Sequence, residues 1–437
     1  MLKNWSRIAL ASVLVLTLGA MAANATTSRV RSLANVGDYI SDDSAVNRWY
    51  STLVSFANQV NAEVGEWTTT DLTDTRGLGW THAIGEDGKW GTYRISLNEA
   101  SLNHPGFWIG NPFYQNHAPQ ENVLPQVGSL DFPYTDTPIN RWDIAGAWEI
   151  GESFAVGVSI TESKWGVTDD VGDIVGTPIV SDNTWMVFGV GATWTNNDNM
   201  VVDVLLNVGN AGGSTVTGTG AAATTLEWDS KQAFEIAARL FYDWKDYVTL
   251  VPVIDFASSE YSLQSSTPPG PLATPNGQQD TDIMVGVGLN MDVNQDNMLV
   301  FAVEWMDRSS EYANPDTAGA EVKEATVTYL PTLRLSLESH ITSWLTTRIG
   351  AAKFIGSPRI EYNNGDETQV SPGHPYDFFQ PEGFDWFLGC GFTFAEWTVD
   401  LELADQTPFG LGYWLTGYAG AWGPEGPVGR ISAVYNY

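Results

Sequence analysis

The chain reads as an all-β protein, an antiparallel transmembrane β-barrel of about 14–16 strands with an N-terminal plug-like segment. Three observations predict it. From Asn140 onward, segments of alternating polarity come in pairs joined by very short turns, and the pairs are separated by long Gly-, Pro-, Asp- and Ser-rich stretches. Most strand candidates run roughly 8 to 14 residues, enough to cross a bilayer when tilted and longer than the ~6 of soluble strands. Tryptophans gather near strand ends, at Trp142, Trp148, Trp194, Trp305, Trp386 and Trp397, as in an interfacial girdle.

The clearest pair spans Asp282 to Trp305. Ile283, Val285, Val287, Leu289, Met291 and Val293 fall on every second residue, with Asp282, Met284, Gly286, Gly288, Asn290 and Asp292 between them. A period of two puts the first set on one face of a strand and the second on the other. Asn294 to Asn297 tolerate a turn, and the apolar face resumes at Leu299, Phe301, Val303 and Trp305. A soluble sandwich would need polar residues outside. Here the small or polar face has to line the interior, which only a closed barrel in lipid allows.

The chain opens with a leader pattern. Lys3 and Arg7 precede the apolar run Ile8 to Met21, and Ala23-Asn24-Ala25 forms a small-residue cleavage site, which predicts export and removal of residues 1–25. The run is too short to serve as a comfortable membrane anchor. Residues 26–58 follow as a non-alternating segment, and 59–437 as the barrel.

Composition narrows the partners. The 52 acidic and 20 basic residues give a formal charge of −32, and loss of Lys3 and Arg7 with the leader takes it to −34. Such a chain repels nucleic acid and anionic surfaces and favours cations. The single Cys390 rules out an internal disulfide framework and sits in an apolar strand, as a small hydrophobe would. No metal spacing joins the five histidines, and there is no nucleophile elbow or phosphate loop. The sequence thus predicts no enzyme, cofactor or metal site.

In chain order, the early strand candidates are Val60 to Trp67, Gly79 to Gly85 and Trp90 to Glu99, the last two joined by a turn at Glu86-Asp87-Gly88. An insertion, Ala100 to Pro138, carries Phe107, Trp108, Phe113 and Tyr114, which form either a ligand-access surface or the core of a self-packed loop. Then come Asn140 to Ile150 with Ser153 to Thr161, Asn183 to Trp194 with Met200 to Asn207, Lys231 to Asp243 with Tyr247 to Phe256, and the central hairpin. Glu324 to Leu337 with Trp344 to Phe354 and Asp385 to Phe394 with Trp397 to Ala404 follow, and Val428 to Tyr437 ends the chain. Counted from Val60 this predicts sixteen strands, or fourteen if an early pair lies elsewhere.

Arg31 to Leu53 reads RSLANVGDYISDDSAVNRWYSTL. Gly37, Asp42, Asp43, Ser44, Ala45, Val46, Trp49 and Tyr50 resemble, in order, the N-terminal signature of the long-chain fatty-acid transporter superfamily of outer-membrane barrels, which includes related components of a surface-secretion system. Ser51-Thr52-Leu53 stands where that family has an Asn-Pro-Ala-Gly turn. The resemblance implies a plug inside the barrel, with Asp42, Asp43, Trp49 and Tyr50 as its gating residues. The aromatic C-terminus is similar to the assembly signal of such barrels.

With the apolar face toward lipid, the lumen-facing charges are Arg141, Asp143, Glu149, Asp203, Glu235, Arg239, Asp255, Asp282, Glu304, Glu324, Arg334, Arg348, Asp400, Glu402 and Arg430. They either pair with one another or set a cation preference. Asp42 and Asp43 are expected to latch onto lumen arginines such as Arg334 or Arg348, or else to cap a solvated turn. The functions predicted are transport of small or hydrophobic solutes past a plug, docking of secreted or envelope proteins, and cation-preferring diffusion, all in an outer membrane.

Overall fold

The computed structural model describes residues 26–65, 75–100, 140–165, 168–169, 179–196, 199–217, 224–266, 276–312, 322–362, 367–369, 382–403 and 428–437. Eighteen strands form one antiparallel sheet. In order they are β1 (Gln59–Gly65), β2 (Thr75–Ala83), β3 (Thr92–Ala100), β4 (Asn140–Glu149), β5 (Phe154–Trp165), β6 (Thr168–Asp169), β7 (Ile179–Asn196), β8 (Met200–Thr217) and β9 (Thr224–Lys245). The second half has β10 (Val248–Ser266), β11 (Asn276–Asn294), β12 (Asn297–Tyr312), β13 (Val322–Thr342), β14 (Leu345–Tyr362), β15 (Glu367–Gln369), β16 (Glu382–Phe394), β17 (Trp397–Leu403) and β18 (Val428–Asn436). β6 and β15 are two- and three-residue pieces beside the long strands β7 and β14. The other sixteen close into a barrel, the upper end of the predicted range.

Closure comes at β1 and β18, in register from Gln59 opposite Asn436 to Gly65 opposite Arg430. Beyond that seam the terminal Tyr437 reaches β2, where Trp80 Nε1 donates to its hydroxyl at 2.7 Å and the Trp80 and His82 rings stack 5.4 Å apart. The short turns are tied to one another by backbone bonds, among them Asp243 N to Asn199 O at 2.9 Å, His340 N to Asp296 O at 2.8 Å and Asn436 N to Glu396 O at 3.0 Å.

Alternation decides what each face meets. Val204, Leu206, Ile236, Ile254, Val285, Val287, Leu335 and Ile349 point outward and are exposed, while their neighbours Asp203, Leu205, Glu235, Asp255, Met284, Arg334 and Arg348 are buried. An exposed apolar surface repeated on strand after strand is stable only against hydrocarbon. Among the described residues no helix is long and apolar enough to cross a membrane.

The wall is uneven. β7 to β14 (short β6 and β15 aside) run 16 to 22 residues, whereas β1 to β3 have only 7 to 9. At ~3.3 Å per residue and a tilt near 40°, nine residues span roughly 23 Å, the height of a lipid-facing band, and twenty span about 50 Å. The tall side therefore projects well beyond the bilayer. This corrects the strand ends read from sequence: β8 continues to Thr217, not Asn207, β9 begins at Thr224, not Lys231, and β10 continues to Ser266, not Phe256. Beyond the lipid both faces of a strand meet water, so alternation disappears although the ladder of hydrogen bonds goes on.

Candidate functional site

Residues 26–58 lie against the inward face. The helix α1 (Thr27–Ser32) is capped by Thr26, whose hydroxyl accepts from Arg29 N, and three 3-10 turns follow at Gly37–Tyr39, Asp43–Asn47 and Tyr50–Ser55. Nothing in this stretch alternates, and from Ser28 to Leu53 almost every residue is buried. Its contacts with the wall run broadly from β17 and β18 at its start to β2 at its end. Thr26 donates to Asp400 on β17 at 2.9 Å and Ser28 meets Ser432 on β18 at 2.6 Å. Ser336 on β13 donates to Leu33 O, and Tyr50 OH donates to Asn207 on β8 at 3.1 Å. Ser51 meets Thr193 on β7, Leu53 packs on Ala145 and Ala147 of β4, and Ala83 N on β2 donates to Asn58. The segment makes nearly one circuit of the interior.

Two devices hold it. The first is steric. Inward glycines open the wall wherever the segment backbone or a ring approaches: Gly157 under the Tyr50–Ser51 peptide, Gly286 and Gly288 under Tyr39, Gly350 under Ala34 and Gly389 under Ser32. A Cβ on any of these would collide with the segment. The second is ionic. Arg48 donates to Asp38 at 2.7 Å, to Glu235 at 2.8 Å and to Asp255. Arg29 donates to Glu338 at 2.7 Å and to Asp42 at 3.1 Å, and Arg31 to Glu402 at 3.1 Å. In return wall arginines grip segment carbonyls, Arg334 at Ala34 O (2.7 Å) and Arg239 at Gly37 O (3.3 Å) and Ile40 O (3.4 Å).

Trp49 is the centre of this packing. It is fully buried, donates from Nε1 to Asp38 at 3.1 Å, and has the guanidinium groups of Arg239 and Arg48 at 4.6 and 5.2 Å from its ring. Such cation–π contacts add to the ion pairs in a desolvated site.

The predicted residues divide as follows. Glu235, Arg239, Asp255, Glu304, Arg334, Arg348 and Asp400 are buried on the inward face, as are Asp203, Asp282 and Arg430, and Glu402 is partly buried there. Asp143 accepts from Ser96 and Thr161, and Glu149 is exposed at the turn end. The side chains of Arg141 and Glu324 lie outside the described residues, as do Phe107, Trp108, Phe113 and Tyr114. Asp42 takes Arg29 and caps the second 3-10 turn through Ser44 N, so its partner is neither Arg334 nor Arg348. Those two instead hold Glu304, and Glu338 with Asp400. Burial pushes the Asp42 carboxyl above the usual range, opposed by Arg29 and Ser44. Sequence reasoning missed Glu338, which shares the parity of Arg334 and Ser336 but follows the Leu337 at which the strand was ended.

Above the Glu304–Arg334 pair, on the side away from the short turns, the inward face turns apolar: Met284, Met306, Tyr329 and Phe354 are buried together, the last two rings edge-on at 6.4 Å. Among the described residues no group of three or more His, Cys, Asp or Glu side chains is arranged to hold a metal ion.

No protein-family profile and no curated protein matches the sequence. Solved structures with partial similarity include the toluene transporter TodX of Pseudomonas putida, at 8% identity and a TM-score of 0.42 over 95% of this chain and 98% of that one. The monoaromatic hydrocarbon channel CymD matches at 11% and 0.36 over 89% and 91%, and the copper transporter OprC at 11% and 0.43 over 80% and 61%. At these identities and scores, function is read from the residues alone.

Proposed function

We propose that this chain is an outer-membrane transport barrel for small or hydrophobic solutes and that residues 26–58 act as its plug, with Asp42, Trp49 and Tyr50 among the residues that hold it shut. The observation that carries this reading is Arg48: a guanidinium with no solvent exposure, contributed by the segment and bound by Glu235 and Asp255 of the wall. A charge is buried in this way only where both partners are built for the match. The inward apolar patch at Met284, Met306, Tyr329 and Phe354 favours an apolar or amphipathic solute over a sugar or an ion.

The test is single-channel conductance in planar bilayers, with the mature full chain compared against one lacking residues 26–56. A closed full chain and a conducting deletion support the plug. A steady, large, cation-selective current through the full chain refutes it and favours the second reading, a cation-preferring porin. That alternative draws support from the wall itself: inward Asp203, Glu235, Asp255, Asp282, Glu304, Glu338 and Asp400 outnumber Arg94, Arg239, Arg334, Arg348 and Arg430.

A further inference from the structure

One set of ion pairs forms an open-ended string. Asp42 pairs with Arg29, Arg29 with Glu338, Glu338 with Arg348 at 2.6 Å, and Arg348 with Asp400 at 2.6 Å. All five are at least nine-tenths buried. Carboxylate and guanidinium alternate, and the string begins and ends on a carboxylate; Arg239 also acts on the Asp42 end, which leaves Asp400 as the end short of a cation. Buried strings of this kind are stable when the charges balance and costly when one is left over. The open end is Asp400, which is fully buried, with Oδ1 on Arg348 and Oδ2 taking the Thr26 hydroxyl at 2.9 Å.

Thr26 is also the residue that follows the Ala23-Asn24-Ala25 cleavage site. Its carbonyl accepts from Val30 N and its hydroxyl from Arg29 N, so both are committed to the start of α1. Its backbone nitrogen lies about 3 Å from its own Oγ1 by covalent geometry, hence within about 6 Å of Asp400 Oδ2. As an amide that nitrogen is neutral. Hydrolysis of the Ala25–Thr26 bond places the hydroxyl of water on the Ala25 carbonyl carbon and leaves a carboxylate on the leader. The nitrogen takes the remaining protons and becomes an ammonium.

We propose that the α-ammonium of Thr26 created by leader removal is the sixth charge of the string, paired with Asp400, so that processing itself seals the plug. The proposal rests on the plug reading above and specifies its regulation: an unprocessed chain lacks the cation that balances Asp400. A charge-assisted hydrogen bond in a buried site contributes enough to change the docked population by tenfold or more.

The test begins with the intact mass of the purified mature chain, which must start at Thr26; a start elsewhere overturns the proposal. Four residues, Gly-Ser-Gly-Ser, are then inserted between Ala25 and Thr26, which moves the amine away while every segment and wall residue stays. Mass confirms cleavage after Ala25, and heat-modified gel mobility confirms a folded barrel. Channel opening is expected to become at least tenfold more frequent. Asp400→Asn in the natural chain should do the same, and the two changes together no more than either alone. A Gly-Ser-Gly-Lys insertion, which returns an ammonium beside Thr26, should restore closure. Insertion variants that stay as closed as the natural chain overturn the proposal, as does failure of the lysine version to restore closure. A natural chain that conducts as freely as the 26–56 deletion sinks the plug itself, a different result.

Discussion

Replacing Arg48 by alanine removes the cation shared by Asp38, Glu235 and Asp255 and leaves their charges facing one another inside the docked state. Breaking a buried pair by removing one partner costs about 3–5 kcal/mol, because the remaining charge stays desolvated. When the segment leaves, Glu235 and Asp255 face a water-filled lumen and that cost disappears. The whole penalty therefore falls on the closed state, and the open-to-closed ratio should rise by roughly a hundred- to a few-thousand-fold. The assay is open probability of single channels, with heat-modified mobility as the control for folding. The quadruple variant Arg48→Met, Asp38→Asn, Glu235→Gln, Asp255→Asn should return most of the closure, because a neutral set of similar volume is often no worse than the ion cluster it replaces. If Arg48→Ala stays closed in a folded barrel, the ionic latch is wrong.

Other outcomes follow from the same geometry. Gly157→Ala puts a Cβ against the Tyr50–Ser51 backbone, whereas at Gly286 the obstacle is the tip of the Tyr39 side chain, so Gly157→Ala should raise open probability more than Gly286→Ala. In the 26–56 deletion, reversal potentials under a salt gradient should show cation preference, and Glu338→Gln with Asp400→Asn should weaken it. Leu206→Arg, on the outward face, should destabilise the barrel by about 2–4 kcal/mol, seen as a lower gel-transition temperature; no change would mean that Leu206 does not face hydrocarbon. Tyr437→Phe removes the acceptor of Trp80 Nε1 across the seam and should cost about 1 kcal/mol in the same assay.

The wall was legible because lipid imposes one rule on every strand: Val285 and Val287 had to face out, so Met284 and Gly286 faced in, and the parity of Glu304, Arg334 and Arg348 followed. The same rule lost its force past the bilayer, where β8 and β10 continue without an apolar face. It also failed for residues 26–58, where no period exists and a charge's partner depends on the path of the chain. Arg48 and Asp38 are ten residues apart in sequence and joined in space, while Arg29 and Glu338 are 309 apart. Nothing local distinguishes those cases. The inward glycines gave a partial signal: Gly286 and Gly288 stood out as small residues on an inward face, but what they make room for is visible only with Tyr39 in place.

The order in which the segment meets the wall, from β17 and β18 down to β2, also determines how it can leave. On the proposed plug reading it would not be withdrawn like a cork, because its seats lie along its whole length, from Asp400 at Thr26 and Gly389 at Ser32 to Gly157 at Tyr50–Ser51. It has to peel, and the end joined to β1 at Gln59 is fixed in the sheet. On the proposed plug reading, release would start at Thr26 and proceed toward Tyr50, like a belt unfastened hole by hole. Such an unwinding passes through partly cleared bores of increasing width, and current recordings should show a ladder of intermediate levels between shut and fully open.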